Sequence, residues 1–224
     1  MIELIRKNRF FIIPYLIFLI ITTFFLILYS KSQIHIYLNQ QHHPVADFFF
    51  KYITHIGDGI AVALFMLLLL FIRYRYFLIM TGSVLLTTIV VQLFKRLILP
   101  FEMRPVVILS GIYELYVVPG VELLIKRSFP SGHSASAFGI FFMAALISRN
   151  NNWKFIFMII ALLTAYSRVY LSHHFLVDIY FGSLISMTFS FFLFYWGMTW
   201  RNDKLDNSFM NYFQKWFTNF TISQ

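Results

Sequence analysis

Cysteine is absent from the 224 residues. Without it the chain can form no disulfide, hold no thiolate-bound metal and use no cysteine nucleophile. Charge is also scarce, since charged residues make up 12 % of the chain and hydrophobic residues 59 %. Soluble domains have about 25 % charged and about 45–50 % apolar residues. This composition argues against a soluble domain and indicates a protein that lies in a membrane.

Six apolar runs are candidates for membrane spans. They cover about residues 10–29, 58–72, 76–98, 131–148, 154–171 and 175–199. A helix needs about 20 apolar residues to cross a hydrocarbon core of about 30 Å. The first run is too long for a removable secretory signal, and no small-residue cleavage site follows it. The pattern predicts an all-α fold, with one polytopic domain of six transmembrane helices over residues 1–224.

Basic residues cluster in the connections that an even number of spans places on one side. They are Arg6, Lys7, Arg9, Arg73, Arg75, Arg149, Lys154, Arg201, Lys204 and Lys215. Cytoplasmic connections carry an excess of Lys and Arg, so this side is predicted to be the cytoplasm. The net charge of +9 is then a matter of topology, and no nucleic-acid partner is predicted. The opposite side is predicted to face the exterior, or the periplasm if the membrane is a bacterial inner membrane.

Three segments outside the spans are predicted to lie at or beyond the membrane surface. Residues 44–55 are aromatic-rich but too short to span, and residues 99–130 form a long outer loop. The tail at about 206–220 is predicted to be an amphipathic helix in the membrane surface, with packing on its own protein as the alternative. Its aromatic face consists of Phe209, Tyr212, Phe213, Trp216, Phe217 and Phe220.

Ionisable residues near a membrane are costly, so three clusters on the predicted outer side are candidates for a functional site. The first contains Lys95, Arg96 and Arg104, followed by Pro105. Such residues can extend along a helix end to lipid headgroups. They can also hold phosphate, because Arg offers a planar fork to phosphate oxygens and Lys offers a point charge.

The second cluster is Pro130, Ser131, Gly132 and His133, directly before the fourth run. Pro suits the first turn of a helix and Ser can cap it. Free N–H groups at such a helix start attract anions, and Gly allows a ligand to come close. The cluster is therefore either an anion site beside His133 or a simple helix start with a histidine at the interface.

The third cluster contains Ser167, Arg168, His174 and Asp178. His174 and Asp178 are four residues apart and hence on one face of a helix, whereas His173 is not so related to Asp178. A carboxylate can hold an imidazole in one tautomer and stabilise its cation. A merely structural pair is the alternative. Together the three clusters suit phosphoryl transfer without a metal: cations hold the phosphate, one histidine attacks and the other protonates the leaving group.

At these residues the sequence resembles the type-2 phosphatidic acid phosphatase superfamily, whose motifs are K-x6-R-P, P-S-G-H and S-R-x5-H-x3-D. The second and third motifs are complete at residues 130–133 and 167–178. The first is imperfect, because Leu97 occupies the expected lysine position before Arg104. Lys95 is taken as the counterpart, with Arg96 as the alternative residue of the phosphate clamp.

The resemblance implies a mechanism. His174 attacks phosphorus to give a phosphohistidine, Asp178 orients His174, and His133 protonates the leaving oxygen and then activates water. The residues implied to bind the phosphate are Lys95, Arg104, Ser131, Gly132 and Arg168. No metal or organic cofactor is implied, and no obligate protein partner is predicted.

The function predicted from the resemblance is hydrolysis of a membrane lipid phosphate or diphosphate. The implied substrates are polyprenyl diphosphate, phosphatidylglycerol phosphate, phosphatidic acid and a lipid A phosphate. A phosphotransferase of the same family would use the same chemistry with an acceptor other than water. A membrane protein that binds or transports anions or lipids without turnover is the alternative from another class. Transporters place their sites near the middle of the membrane, whereas these charges lie at span ends, which favours the enzyme.

Overall fold

The computed structural model describes residues 1–213, and the predicted tail residues Trp216, Phe217 and Phe220 lie outside them. Regular structure in the described residues is helical, apart from one antiparallel bridge between Met103 and Lys126. The prediction of an all-α fold is confirmed. The α-helices are α1 (Ile2–Lys7), α2 (Arg9–Leu28), α3 (Lys31–Asn39), α4 (Pro44–Ile53), α5 (Gly59–Ile72), α6 (Tyr74–Leu93), α7 (Pro105–Ile108), α8 (Gly132–Ile147), α9 (Asn151–Tyr170) and α10 (Leu176–Gly197). Short 3₁₀ turns cover Thr54–Gly57 and Asp203–Asp206, and a π-helical turn, Phe94–Ile98, extends α6.

Four of these helices are long and apolar enough to cross a membrane, namely α2, α6 with its π-helical turn, α9 and α10. A fifth candidate is the pair Pro44–Gly57 and Gly59–Ile72, which is bent by 53° at its break. The described residues therefore contain four candidate spans, or five if the bent pair is one span, rather than the six that were predicted.

The difference arises at the predicted runs 58–72 and 131–148. Both form apolar helices, but α5 has 14 residues and α8 has 16. At a rise of about 1.5 Å per residue they are about 21 and 24 Å long, less than a hydrocarbon core of about 30 Å. Each is cut short at its start by polar residues, Asp58 before α5 and Ser131 before α8.

The outer faces of the helices are apolar. Ile20 and Ile27 of α2 and Ile60 of α5 are 68 %, 77 % and 75 % exposed. Contiguous apolar surface of this kind is costly in water and is satisfied by lipid. Together with the candidate spans, this exposed apolar surface identifies an integral membrane protein.

Helix α8 lies at the centre of the bundle, where most of its side chains are buried. Small residues allow α10 to approach it closely. A Cβ on Gly139 would lie 2.7 Å from Ser186 Oγ, and a Cβ on Gly182 would collide with the Ser131 carbonyl oxygen. Ser134 Oγ also donates to the Ile179 carbonyl, at 2.8 Å. This contact holds the start of α8 against the start of α10.

The predicted surface segments are partly described. Residues 44–53 form α4, which exposes Val45, Phe48 and Tyr52 and buries Asp47. The start of the tail is held by the buried Arg75, whose guanidinium binds both carboxylate oxygens of Asp206 at 2.8 and 2.9 Å. Placement of either segment in the membrane surface stays a prediction.

The segments predicted to be cytoplasmic meet at one end of the bundle. Arg6 and Arg9 near the start of α2, Arg149 between α8 and α9, and Thr199 after α10 line one cavity. The connections from α2 to α5, from α6 to α8 and from α9 to α10 carry the polar clusters, and they lie at the opposite end of the bundle. The fold thus places the two sets of charges at opposite ends of the bundle, and the assignment of either end to the cytoplasm stays a prediction.

Cysteine labelling is expected to show which end faces the cytoplasm. The native chain has no cysteine, and Glu114 and Asn152 are both exposed. In intact cells an impermeant thiol reagent should label Glu114→Cys and leave Asn152→Cys unlabelled until the membrane is opened. The opposite pattern would place the candidate site in the cytoplasm.

Candidate active site

The turn between α9 and α10 brings the third cluster together. Ser172 adopts a positive φ of 55°, which reverses the chain. The backbone N–H groups of His173 and His174 then both donate to the Arg168 carbonyl oxygen, at 2.9 and 3.0 Å. Arg168 and His174 are thereby fixed beside each other at the helix ends.

His174 and Asp178 form the buried pair that their spacing predicts. His174 Nδ1 lies 3.1 Å from Asp178 Oδ2, and each residue is 2 % exposed. The same carboxylate oxygen accepts from the Phe175 N–H at 3.0 Å and from the Ser128 hydroxyl. Asp178 thus receives three donors, so it is held in one orientation.

The neighbours of His174 determine its tautomer. Arg104 Nη1 lies 3.3 Å from His174 Nε2, and a guanidinium can only donate. The lone pair is therefore on Nε2 and the proton on Nδ1, facing the carboxylate. Burial, and then the positive charge of Arg104, hold the pKa of His174 well below its ordinary value. The result is a neutral imidazole whose lone pair is on Nε2, beside Arg104.

Arg104 is oriented by backbone carbonyls. Its Nε donates to the Lys126 oxygen at 2.9 Å and its Nη1 to the His173 oxygen at 2.7 Å. These bonds leave donors of the guanidinium for a ligand beside His174 Nε2. Arg104 comes from the outer loop, 70 residues before His174 in the chain.

Arg168 is also buried, at 4 % exposed, without a carboxylate partner among the described residues. Its Nη1 donates to Thr54 Oγ1 at 2.7 Å, and its Nε is buried with no hydrogen-bond partner in residues 1–213. A buried guanidinium with an unused donor is costly unless an anion pairs with it. The arrangement suits a phosphate.

Lys95 and Arg96 of the first cluster contact different partners in the structure. Both Lys95 and Arg96 lie in the π-helical turn, a feature often found at functional sites. Lys95 is half-buried and donates to the Arg127 carbonyl at 2.9 Å, in the loop that leads to Asp178 through Ser128. Arg96 is exposed and turns to Gln92 Oε1 at 3.0 Å. The geometry favours Lys95 as the third cation.

Ser131 and Gly132 begin α8. Ser131 Oγ accepts from the Ser134 N–H at 3.3 Å, and the Ser131 N–H donates to the Asp178 carbonyl at 3.0 Å. Its backbone N–H is thus engaged in the fold, and only its O–H remains for a ligand. Gly132 lies at the first turn of the helix, where N–H groups lack intrahelical partners.

His133 has a partner that the sequence analysis missed. Its Nε2 lies 2.7 Å from Asp58 Oδ1, and the other oxygen of Asp58 lies 2.8 Å from His55 Nδ1. Gly57 allows this approach, since a Cβ there would lie 3.0 Å from the His133 carbonyl oxygen. The signal that could have found Asp58 is its position at the start of an apolar run, where a carboxylate is costly without a role.

His173 is directed away from His174. Its Nε2 lies 2.9 Å from the Glu122 carbonyl oxygen. Burial, and then Arg168, lower the pKa of His173 to about 3, so the ring is neutral. It connects the turn to the outer loop and does not pair with Asp178.

A second polar network, which the sequence analysis also missed, joins the turn between α9 and α10 to α3 and α4. Ser172 Oγ lies 3.2 Å from His35 Nε2 and 3.4 Å from Asn39 Nδ2. Tyr170 at the end of α9 donates to the buried carboxylate of Asp47 at 2.6 Å. Helices α3 and α4 thus keep the positive-φ turn in place.

The fold and the site define an integral membrane protein with a buried His–Asp pair among cationic side chains. The sequence model of the PAP2 superfamily matches residues 76–202, more than half of the chain. The chain belongs to the PAP2 superfamily, as its motifs indicated, and membership implies phosphatase activity. The matched residues include all three sequence clusters.

Two solved structures are similar to this chain. LpxE of Aquifex aeolicus is 24 % identical with a TM-score of 0.65, over 73 % of this chain and 93 % of that one. The first transmembrane PAP2 type phosphatidylglycerolphosphate phosphatase from Bacillus subtilis is 20 % identical with a TM-score of 0.62, over 84 % and 96 %. At these identities the likeness shows the fold. No curated protein matches the chain.

Proposed function

We propose that this protein is a membrane lipid phosphatase or diphosphatase that works through a phosphohistidine on His174. One observation carries the proposal: His174 is held by Asp178 through Nδ1 and presents Nε2 beside Arg104. A neutral imidazole in this tautomer has its lone pair where a bound phosphate would lie. Carboxylate, imidazole and guanidinium together form the set of groups that phosphoryl transfer to histidine needs.

The proposed reaction has two steps. Arg104, Arg168 and Lys95 hold the phosphoryl oxygens, and His174 Nε2 attacks phosphorus. The bond to the leaving oxygen breaks, and that oxygen takes a proton from His133. His133 then removes a proton from water, which attacks the phosphohistidine and releases inorganic phosphate. The nitrogen lone pair returns to Nε2. The cations stabilise the charge on the phosphoryl oxygens, so the proposed reaction needs no metal.

The location of the site supports a lipid substrate. The candidate residues lie at the end of α6, the end of α9 and the start of α10, and we propose that these ends lie on the outer side, where lipid phosphates would reside. We propose that six apolar helices cross a bacterial inner membrane, with α5 and α8 as short spans beneath the site. The chain of the lipid would then stay in hydrocarbon while its head reaches His174, and orientation of this kind lowers a barrier by several kcal/mol, roughly.

A phosphate-release panel tests this proposal. We expect at least one of polyprenyl diphosphate, phosphatidylglycerol phosphate, phosphatidic acid and a lipid A phosphate to be hydrolysed in mixed micelles at fixed surface concentration. Activity should survive excess chelator and be inhibited by vanadate, which mimics a five-coordinate phosphoryl group. A soluble sugar phosphate serves as the control. If it matched or exceeded every lipid in kcat/KM, the lipid assignment would be wrong, and loss of activity in chelator would contradict the metal-free mechanism.

Asp58 is proposed to position His133 as the general acid. Asp58→Asn should lower kcat for a lipid phosphate about 100-fold, since general acid catalysis contributes roughly 10²–10⁴-fold. An aryl phosphate such as 4-nitrophenyl phosphate has a weakly basic leaving oxygen, so its turnover should fall far less. His55→Gln is the matched control, because His55 contacts the other oxygen of Asp58 and is exposed. Equal losses on both substrates would show that Asp58 serves the fold only.

A further inference from the structure

A large cavity lies at the end of the bundle opposite the candidate active site. Its volume is about 1010 Å³, and it lies between the α1–α2 junction, the start of α6, the connection from α8 to α9 and the end of α10. Lys154 at this end and Arg168 at the other are fourteen residues apart on α9, about 21 Å at a rise of 1.5 Å per residue. The cavity is therefore separate from the proposed catalytic residues.

The charged residues that line this cavity are all basic. They are Arg6, Lys7, Arg9, Arg149 and Lys154. Of these five, only Lys7 has a carboxylate partner within the described residues, Glu3 at 2.8 Å. The remaining four cations line the same cavity and have no carboxylate within ion-pair distance in residues 1–213.

Lys154 adds the observation that points to a ligand. It is 5 % exposed, and its Nζ donates to the Lys7 carbonyl oxygen at 2.6 Å. A buried ammonium paired only with a neutral carbonyl is costly, and an anion in the cavity would offset that cost. Asn8 beside it is 1 % exposed, and its Oδ1 has no partner in the described part of the chain. This oxygen can accept from a ligand hydroxyl.

The cavity also has an apolar wall. Leu4, Leu146, Ile147, Phe194 and Met198 line it beside the cations. A free anion would leave this wall in contact with water, whereas a phospholipid would cover it with its glycerol and upper acyl groups. Basic pockets between transmembrane helices on the cytoplasmic side are typical sites for anionic headgroups.

We propose that this cavity binds the headgroup of an anionic phospholipid of the inner leaflet. The phosphate lies among Arg6, Arg149 and Lys154, and a headgroup hydroxyl reaches Asn8 Oδ1. The bound lipid joins the start of α2 to the connection between α8 and α9. The inference does not rest on the proposed catalytic function, because the cavity shares no residue with the candidate active site.

Binding to the full chain, purified in detergent, tests this inference. The melting temperature is measured while phosphatidylglycerol is titrated into the micelles, and phosphatidylcholine, inorganic phosphate and glycerol phosphate are titrated separately. Phosphatidylglycerol carries a phosphodiester and no terminal phosphate, so it is not a substrate of the proposed hydrolysis. We expect the melting temperature to rise saturably with phosphatidylglycerol and to change little with the other three compounds. An equal rise with phosphatidylcholine would overturn the site, and an equal rise with inorganic phosphate or glycerol phosphate would overturn its assignment to a lipid.

Two variants locate the effect. The double substitution Arg6→Gln and Arg149→Gln removes two exposed cations from the lining and should weaken phosphatidylglycerol binding about 30-fold, at a factor of about five per cation. The matched control is Arg201→Gln with Lys204→Gln, which removes two exposed cations near the same end that do not line the cavity. It should keep the full response. Equal weakening in both variants would show a general surface attraction and overturn the proposal.

Discussion

Replacement of His174 by alanine is expected to reduce phosphate release by more than about 1000-fold, because the loss of a nucleophile costs a hydrolase up to about 10⁶-fold. His174 Nε2 is the proposed attacking atom, and no other described side chain near Asp178 presents an imidazole lone pair beside Arg104. The measurement is release of phosphate from the best lipid of the panel. Size-exclusion chromatography and circular dichroism check that the variant remains folded.

The neighbouring residue provides the matched control. His173 is also buried, but its ring contacts the Glu122 carbonyl, and only its backbone oxygen contacts Arg104. His173→Ala removes a comparable volume and leaves that oxygen in place, so it should retain most of the activity. A reversal of the two effects would show that the nucleophile has been assigned wrongly. Acid-labile radiolabel from a phosphate-labelled substrate should appear on the wild type and be absent from His174→Ala.

Asp178→Asn is expected to lower kcat by about 10⁴-fold, the loss seen when the carboxylate of a catalytic triad becomes an amide. The substitution keeps the size of the side chain, so burial and packing change little. It removes the negative charge that stabilises the imidazole as it becomes cationic on phosphorylation. It also allows an amide N–H to face His174 Nδ1, which would put the lone pair on the wrong nitrogen. KM should change far less than kcat.

Ser128→Ala tests the same carboxylate from its other side. The Ser128 hydroxyl donates to Asp178 Oδ2 but does not contact His174. Its removal leaves the carboxylate charge and two of its three donors, so a loss of about tenfold is expected, in line with a single hydrogen bond to a charged group. A loss in Ser128→Ala as large as that in Asp178→Asn would show that the orientation of the carboxylate matters more than its charge.

Local patterns in the sequence predicted much of this protein. Apolar runs predicted all six long apolar helices to within a few residues, because a helix hidden in lipid needs an almost unbroken run of apolar side chains. The four-residue spacing predicted the contact between His174 and Asp178, since residues at that spacing are neighbours on any helix. Pro130 and Ser131 predicted the start of α8. The complete second and third motifs indicated the family.

The short length of α5 and α8 could not be read from those runs. Hydropathy reports which residues tolerate lipid. The length of α5 and α8 is instead set by the polar residue before each helix, which is held by a partner elsewhere in the chain. Asp58 directly precedes α5 and contacts His133. Ser131 directly precedes α8, and its N–H donates to the Asp178 carbonyl oxygen. These partners lie 75 and 47 residues away in the chain, so no local window contains the signal.

By itself, then, the sequence determined the membrane environment, the helices, the His174–Asp178 pair and the family, because each depends on composition or on neighbours within one turn of helix. Only the tertiary structure decided which remote groups complete the site. Asp58 meets His133, Thr54 meets Arg168, and Lys95 rather than Arg96 turns toward the loop before α8. The physical reason is that such contacts are set by how α8 packs against α9 and α10, and side chains far apart in the chain meet only after that packing is complete.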